Sequence, residues 1–281
     1  VRPWSALSRL AVAASFAAIV GVVGLDLTAL IAPEPQAGSF GSGTGLTPAT
    51  VPPTGDLQPR LLQWSGRTWM VYPNSQPGPE KVLLNDSPDA VYVDGQGRLH
   101  LNIIKIRRAW RSVELQSLTP VSYGTYQTIL DTAVAKFSPE VVFGVFVYQP
   151  GTAQFTNEID IEDAQFPHYL RPPENAQFVV QPYYSPNHSR SYQIRDDYVP
   201  LYQQFTWLPP HNGNGTVDFE TRVGTTSASP LLAHWRYFGY SDPSAVDMYL
   251  YVVLWLDHGK APTGGAHSAI VRSVTFTPLG E

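Results

Sequence analysis

The sequence predicts an all-β domain, a two-sheet antiparallel β-jelly-roll sandwich, preceded by an N-terminal apolar signal or anchor helix. Three observations carry this expectation. Beyond Arg60, apolar residues recur at every second position through one stretch after another. No amphipathic helix of ordinary length separates those stretches, which argues against parallel βαβ units and for antiparallel layers. The 281 residues include 26 Pro and 22 Gly to turn the chain, and 12% aromatics, which suit pleated surfaces.

The elements follow in order. Arg2 and Arg9 precede an apolar run from Leu10 to Leu25, and Asp26 is followed by a second apolar patch, Leu27 to Ala32. Basic residues before an uncharged apolar stretch mark residues 1–31 as a signal peptide or membrane anchor. The uninterrupted run is shorter than the ~20 residues that cross a bilayer comfortably. Residues 32–59 are rich in Pro, Gly, Ser and Thr without an apolar period, which reads as a tether. The folded domain is expected over 60–281, secreted or membrane-anchored outside the cytoplasm.

Within it, "AVYVDGQGRLHLNIIKI" reads as a hairpin, turning at Asp94 to Gly97. "SYGTYQTILDTAVAKF", "EVVFGVFVYQ", "AQFVVQPYY", "QFTWLPP", "TVDFETRVG", "MYLYVVLWL" and "AIVRSVTFTP" read as further strands. Charged residues make up 15% and no dense basic run occurs, so a nucleic-acid partner is not expected. Without cysteine there is no disulfide framework, thiolate metal site or catalytic thiol. No Gly-rich loop opens a helix, and the letters of a serine elbow occur only in the tether, so no nucleotide cofactor or serine nucleophile is expected. The histidines show no pair at metal-ligand spacing; His168 and His258 read as loop residues.

The stretch "TNEIDIEDAQF" stands apart. On a strand, Glu158, Asp160 and Glu162 share one face while Ile159 and Ile161 enter the core. Like charges stacked in this way repel, and a strand needing only solubility would intersperse Lys, Thr or Arg. Three readings remain open on the residues alone: a half-exposed acidic strand, a structural calcium site, and glycoside hydrolysis. The last needs one ionised carboxylate as nucleophile and a second, protonated carboxyl about 5 to 5.5 Å away. Crowding the acids separates their proton affinities, which supplies both.

"EIDIE" resembles the signature of family 16 glycoside hydrolases, the laminarinase, lichenase and xyloglucan transglycosylase superfamily with a concanavalin A-like fold. "SGRTWMVYPNSQPGPEKVLL" is similar to that family's opening segment, "VYVDGQGRLHLNI" to its early hairpin, and "WRSVELQSLTPVSYGTYQ" to the approach to its Tyr-Gly strand. "QFTWLPPHNGNGTVDFETRVG", "YLYVVLWLDHGKAP" and "VRSVTFTP" resemble its later strands, so the similarity runs in order from Leu61 to Pro278. The resemblance implies Glu158 as nucleophile, Asp160 as assisting carboxylate and Glu162 as general acid/base. It implies a retaining endo-type hydrolase of β-linked glucan or a related polysaccharide, or a transglycosylase on the same site. Departures fall around the acids. No extra residue separates Asp160 from Glu162, Asn157 stands where several members have Trp or Asp, Gln181 and Pro182 lie near a frequent Asn, and Val253 occupies a frequent Asn position.

Sugar rings stack on aromatic faces, so Phe146, Tyr148, Tyr183, Tyr184, Trp110 and Trp207 are candidate substrate-binding residues, each with a core alternative. Trp255, at the end of an unbroken apolar run, reads more readily as core. No metal ligand and no cofactor are assigned, a structural calcium is left open, and a monomer with a polysaccharide partner is expected. A lectin-like carbohydrate binder that has lost turnover and a cell-envelope structural protein are the rivals from other classes.

Overall fold

In the computed structural model, residues 59–73, 82–152, 156–166, 169–240, 243–264 and 267–280 are described. The expected leader and all of the tether except Pro59 lie outside the described residues. Among the described residues seventeen strands follow in chain order: β1 (Arg60–Trp64), β2 (Arg67–Val71), β3 (Val91–Val93), β4 (Leu99–Asn102), β5 (Ile104–Ile106) and β6 (Ala109–Arg111). Next come β7 (Val113–Ser117), β8 (Gly124–Leu130), β9 (Val141–Tyr148), β10 (Glu158–Asp163), β11 (Ala176–Val180) and β12 (Ser189–Tyr192). The last are β13 (Leu201–His211), β14 (Asn214–Val223), β15 (Leu231–Gly239), β16 (Tyr249–Leu256) and β17 (Ser268–Pro278).

They form an eight-stranded sheet, β1-β2-β7-β16-β9-β10-β11-β12, a seven-stranded sheet, β15-β14-β13-β8-β17-β4-β3, and the small pair β5-β6. Neighbours in both large sheets pair antiparallel, as the sequence predicts. The "DGQG" turn joins β3 to β4, with Asp94 accepting from the Gln96 and Arg98 amides. Asn212 and Gly213, both at positive φ, turn β13 into β14. The stretch "SYGTYQTILDTAVAKF" is a strand only as far as Leu130; a 3-10 turn at Val134–Lys136 follows. The strands β1, β2, β6, β7, β12 and β15 were not expected.

The two sheets bury different amounts of themselves. In the seven-stranded sheet β8 and β14 alternate buried and half-buried, since one face meets the core and the other meets water. In the eight-stranded sheet all of β9 and all of β10 are buried, because both faces are covered. The inter-sheet core takes Phe143, Val145, Val147, Ile159, Ile161 and Phe178 from one sheet and Phe205, Trp207, Val217 and Phe219 from the other. Phe178 stacks on Phe219 at 5.1 Å between ring centres, which ties the sheets together. A second apolar layer, with Tyr72, Phe146, Tyr148, Tyr251, Val253 and Trp255, lies on the opposite face of the eight-stranded sheet.

Candidate active site

Ile159 and Ile161 of β10 point into the inter-sheet core, so strand parity turns Glu158, Asp160 and Glu162 toward the second apolar layer. Glu158 opposes Tyr148, Asp160 opposes Phe146 and Glu162 opposes Gly144 on β9. A Cβ at position 144 would lie 3.0 Å from Val253 Cγ1, so glycine leaves the space beside Glu162 clear. Phe146 stacks on Tyr251 at 4.8 Å, and Tyr148 meets Tyr251 edge-on at 6.2 Å. Val82, Leu84, Val142, Ala164 and Phe166 complete the layer.

Residues in the left-handed backbone region flank the strand. Asn157 has φ 53 and Phe166 φ 37. Asn157 Nδ2 donates to Gln149 Oε1 (2.5 Å) and its Oδ1 accepts from the Ser244 amide (3.1 Å), which fixes the entry to β10. Asparagine visits this region readily; phenylalanine does so only under strain held by its surroundings.

The acids are buried, with Glu158 at 1% exposure, which overturns the half-exposed acidic strand. Gln177 Nε2 donates to Glu162 Oε2 at 2.5 Å, and Gln181 Nε2 makes a long contact with Asp160 Oδ2 at 3.5 Å. Both Glu158 oxygens, Asp160 Oδ1 and Glu162 Oε1 meet no donor while the acids are ionised. A protonated Asp160 favours the ionised form of Glu158. Burial raises the proton affinity of all three, and the remaining acids raise it further: Glu162 and Glu114 act on Glu158, Glu158 on Asp160, and Asp160, Asp257 and Asp163 on Glu162. Every acid of the cluster is thus harder to ionise than a solvated carboxyl, and burial pushes Glu158 up to about 8.

A fourth acid on this face was not singled out from the sequence. Glu114 of β7 pairs with Val253, which pairs with Gly144, which pairs with Glu162, so only a glycine and a valine stand between the two glutamates in one cross-strand row. Glu114 is fully buried, neither oxygen meets a donor, and burial pushes its carboxyl up to about 8. The signal was an acid inside the apolar strand "VELQS". Asp163, at the other parity, faces the inter-sheet core and accepts from Gln203 Nε2 on both oxygens, at 2.9 and 3.1 Å.

Of the aromatic candidates, Phe146 and Tyr148 lie beside the acids, buried in their layer. Tyr183 and Tyr184 stand at the Glu158 end. The Gln181 amide donates to the Glu158 carbonyl, the Tyr183 amide donates to Gln181 Oε1, and Tyr184 is 49% exposed. Trp207 is a correction: it is wholly buried in the inter-sheet core, because its odd position on β13 points inward with Phe205. Trp110 packs against that same core and beside His267, not in the layer around the acids. Trp255 is the reverse case, buried in the layer that holds the acids. His258 contacts Tyr169 at 3.3 Å, and His168 lies outside the described residues. Among the described residues no three His, Asp or Glu side chains are grouped to hold a metal ion, so no residue is assigned to a calcium.

The architecture is that of a class of β-sandwiches found in β-glucanases. Among solved structures the chain is similar to a Bacillus licheniformis beta-glucanase, at 17% identity and TM-score 0.54, covering 75% of this chain and 92% of that one. It is similar to a beta-1,3-1,4-glucanase (lichenase) from a mouse hindgut metagenome, at 18% identity and TM-score 0.52, over 77% and 96% of the two chains. It is also similar to an immunostimulatory antigen and pseudo beta-1,3-glucanase of Mycobacterium tuberculosis, at 15% identity and TM-score 0.56, over 75% and 91%. No protein-family model matches the sequence, and no curated protein does. At these identities the likeness is one of fold.

Proposed function

We propose that this chain is a retaining glycoside hydrolase of the family 16 type, acting within chains of β-linked glucan or a related polysaccharide. The observation that carries the reading is the placement of Glu158, Asp160 and Glu162 on one face of one strand, in an aromatic layer, within a fold shared with β-glucanases. In this reading protonated Glu162 donates to the leaving glycosidic oxygen as Glu158 attacks the anomeric carbon, and an ester to Glu158 forms. Glu162, now ionised, takes a proton from water, whose oxygen displaces Glu158 and keeps the configuration. Asp160 shares its proton with Glu158 and modulates its charge. Phe146, Tyr148, Tyr183 and Tyr184 supply faces for sugar rings. An acceptor sugar in place of water would make the same site a transglycosylase. The reading includes a monomer exported or tethered by residues 1–31, working outside the cytoplasm.

A second reading, a glycan binder without turnover, is favoured by one observation: all three acids are buried beneath their own layer. The assay is reducing-sugar release from barley β-glucan, laminarin, xyloglucan and agar by the native protein and by Glu158→Gln. Release by the native protein alone supports the hydrolase. Equal release from both refutes it, and retention on glucan without release from either supports the binder.

A further inference from the structure

The outer face of the seven-stranded sheet carries a feature that the carboxylate site does not use. Register places Thr275, Gln127 and Gln204 in one cross-strand row and Ser273, Ile129 and Tyr202 in the next. Gln127 Nε2 donates to Gln204 Oε1 (2.9 Å), the Tyr202 hydroxyl donates to the same oxygen, and Thr275 Oγ1 donates to Gln127 Oε1 (3.4 Å). Above these rows is a cavity of about 330 Å³, floored by Gln127, Ile129, Tyr202, Ser273 and Thr275 and walled by Thr225 to Ser227. Thr275 also lines an adjoining cavity of about 490 Å³ with Gln63, Arg67, Thr68 and Phe276, where the Arg67 guanidinium lies 5.3 Å from the Phe276 ring centre, so the two meet along one side chain.

The wall is built. The Gly224 amide donates to the Pro200 carbonyl (2.8 Å), and the Ser229 amide donates to the Thr226 carbonyl (3.0 Å). Ser229 Oγ accepts from the Thr226 amide (3.2 Å). Gly224 has φ +143, and a Cβ there would lie 2.2 Å from Ser229 Oγ, so the loop closes only with glycine. No charged side chain lines the first cavity. The charges around it are taken up by one another: Arg222 with Glu220 (2.8 Å), Arg272 with Asp131 (2.7 Å), and Asp218 with His234 and Arg236.

A neutral floor of amide and hydroxyl groups, each able to donate and accept, beside the aliphatic face of Ile129, suits a ligand that is uncharged, rich in hydroxyls and apolar on its C–H faces. We infer that this cavity is a second binding site, for a neutral glycosyl unit, on the side of the sandwich away from the carboxylates. The continuation past Thr275 would let it hold a short run of such units, and so keep a polysaccharide on the protein independently of the active site. The glycan chemistry follows from the cavity; only the use of β-glucan fragments among the probes rests on the function proposed above.

The test uses the full chain carrying Glu158→Gln, labelled with nitrogen-15, and titrates it separately with laminarihexaose, cellohexaose, xylohexaose and mannohexaose. Saturable shifts are expected at the Gln127 and Gln204 side-chain amides and the Thr225 to Ser227 backbone amides with at least one of them. Ser227→Trp, an exposed rim position, should weaken those shifts about tenfold in affinity while leaving shifts of the β10 amides unchanged. No shift at these amides with any of the four sugars overturns the inference, whether or not the native protein releases sugar from β-glucan. An unchanged titration in a folded Ser227→Trp protein overturns it as well. Shifts that appear in a protein whose native form hydrolyses nothing support this site while removing the hydrolase reading.

Discussion

Asp163 gives the sharpest physical test of the fold. Its carboxyl lies between the sheets, facing Gln203 of β13 and Tyr192 of β12, whose hydroxyl meets Thr221 Oγ1 of β14 at 2.8 Å. Burial pushes it up from 3.8 to about 7, against the hydrogen bond from Gln203, which favours the ionised form. The native state therefore keeps a proton that the unfolded chain releases near pH 4, and stability falls as pH rises through about 7. The part lost is at most about 4 kcal/mol, a large share of the ~5–15 kcal/mol that holds a domain together. Asp163→Asn keeps an acceptor for Gln203 and removes the titration. Urea unfolding of both proteins from pH 4.5 to 8.5 should give similar stabilities at the acid end and a variant that is increasingly the more stable toward the alkaline end. Glu114, Glu158 and Asp160 act in the same direction in both proteins, so the difference between the curves reports Asp163 together with the effect of its charge on Glu162. Parallel curves over the whole range would refute the reasoning.

Three further outcomes follow from the site. Gln177→Leu removes the donor 2.5 Å from Glu162, so Glu162 should hold its proton to higher pH, and the alkaline limb of kcat/KM on barley β-glucan should move upward. Gly144→Ala places a Cβ 3.0 Å from Val253 Cγ1 in a layer without slack and should lower stability by ~1–3 kcal/mol, read from thermal melting. Trp207→Ala should destabilise by ~3–5 kcal/mol, as a core truncation does; a stable variant with weakened glucan retention would return Trp207 to the sugar site.

How much of this was legible depended on which sheet a strand joined. The strands of the seven-stranded sheet have one wet face, and their alternation could be read directly, as in "GTYQTIL" and "TVDFETRV". The carboxylate ladder was legible for the same reason, since period two shows in "EIDIE" whatever covers it. The continuous runs "VVFGVFVY" and "YLYVVLWL" announced strands but hid their faces, because both faces are apolar. Trp255 read as core and is wholly buried, though the run did not say in which layer, and Glu114, three strands away from Glu162 in the sheet order, carried no signal linking it to the ladder. For Trp207 the core alternative holds, and parity with Phe205 on an alternating strand is the signal for it.

The two roles proposed for Glu158 and Glu162 require unlike proton affinities from like side chains on one strand, and their surroundings differ in the required sense. Glu162 has Asp160 beside it on its own face, Asp163 next along the chain and Asp257 nearby, and each of these charges favours keeping its proton. Gln177 opposes them with a single neutral hydrogen bond. Glu158 has Glu162 and Glu114 against its ionisation, while a protonated Asp160 on the same face favours its charged form. Asp160 in turn is kept protonated by burial and by Glu158. These differences favour charge on Glu158 over charge on Glu162, which is the sense the proposed retaining mechanism requires. A half-exposed strand could not sustain it, since solvated glutamates ionise near pH ~4.3 and none would be left as the acid. Burial on both faces of the sheet is thus a condition of the proposed chemistry, and the covering layer is what a polysaccharide would have to displace to reach it.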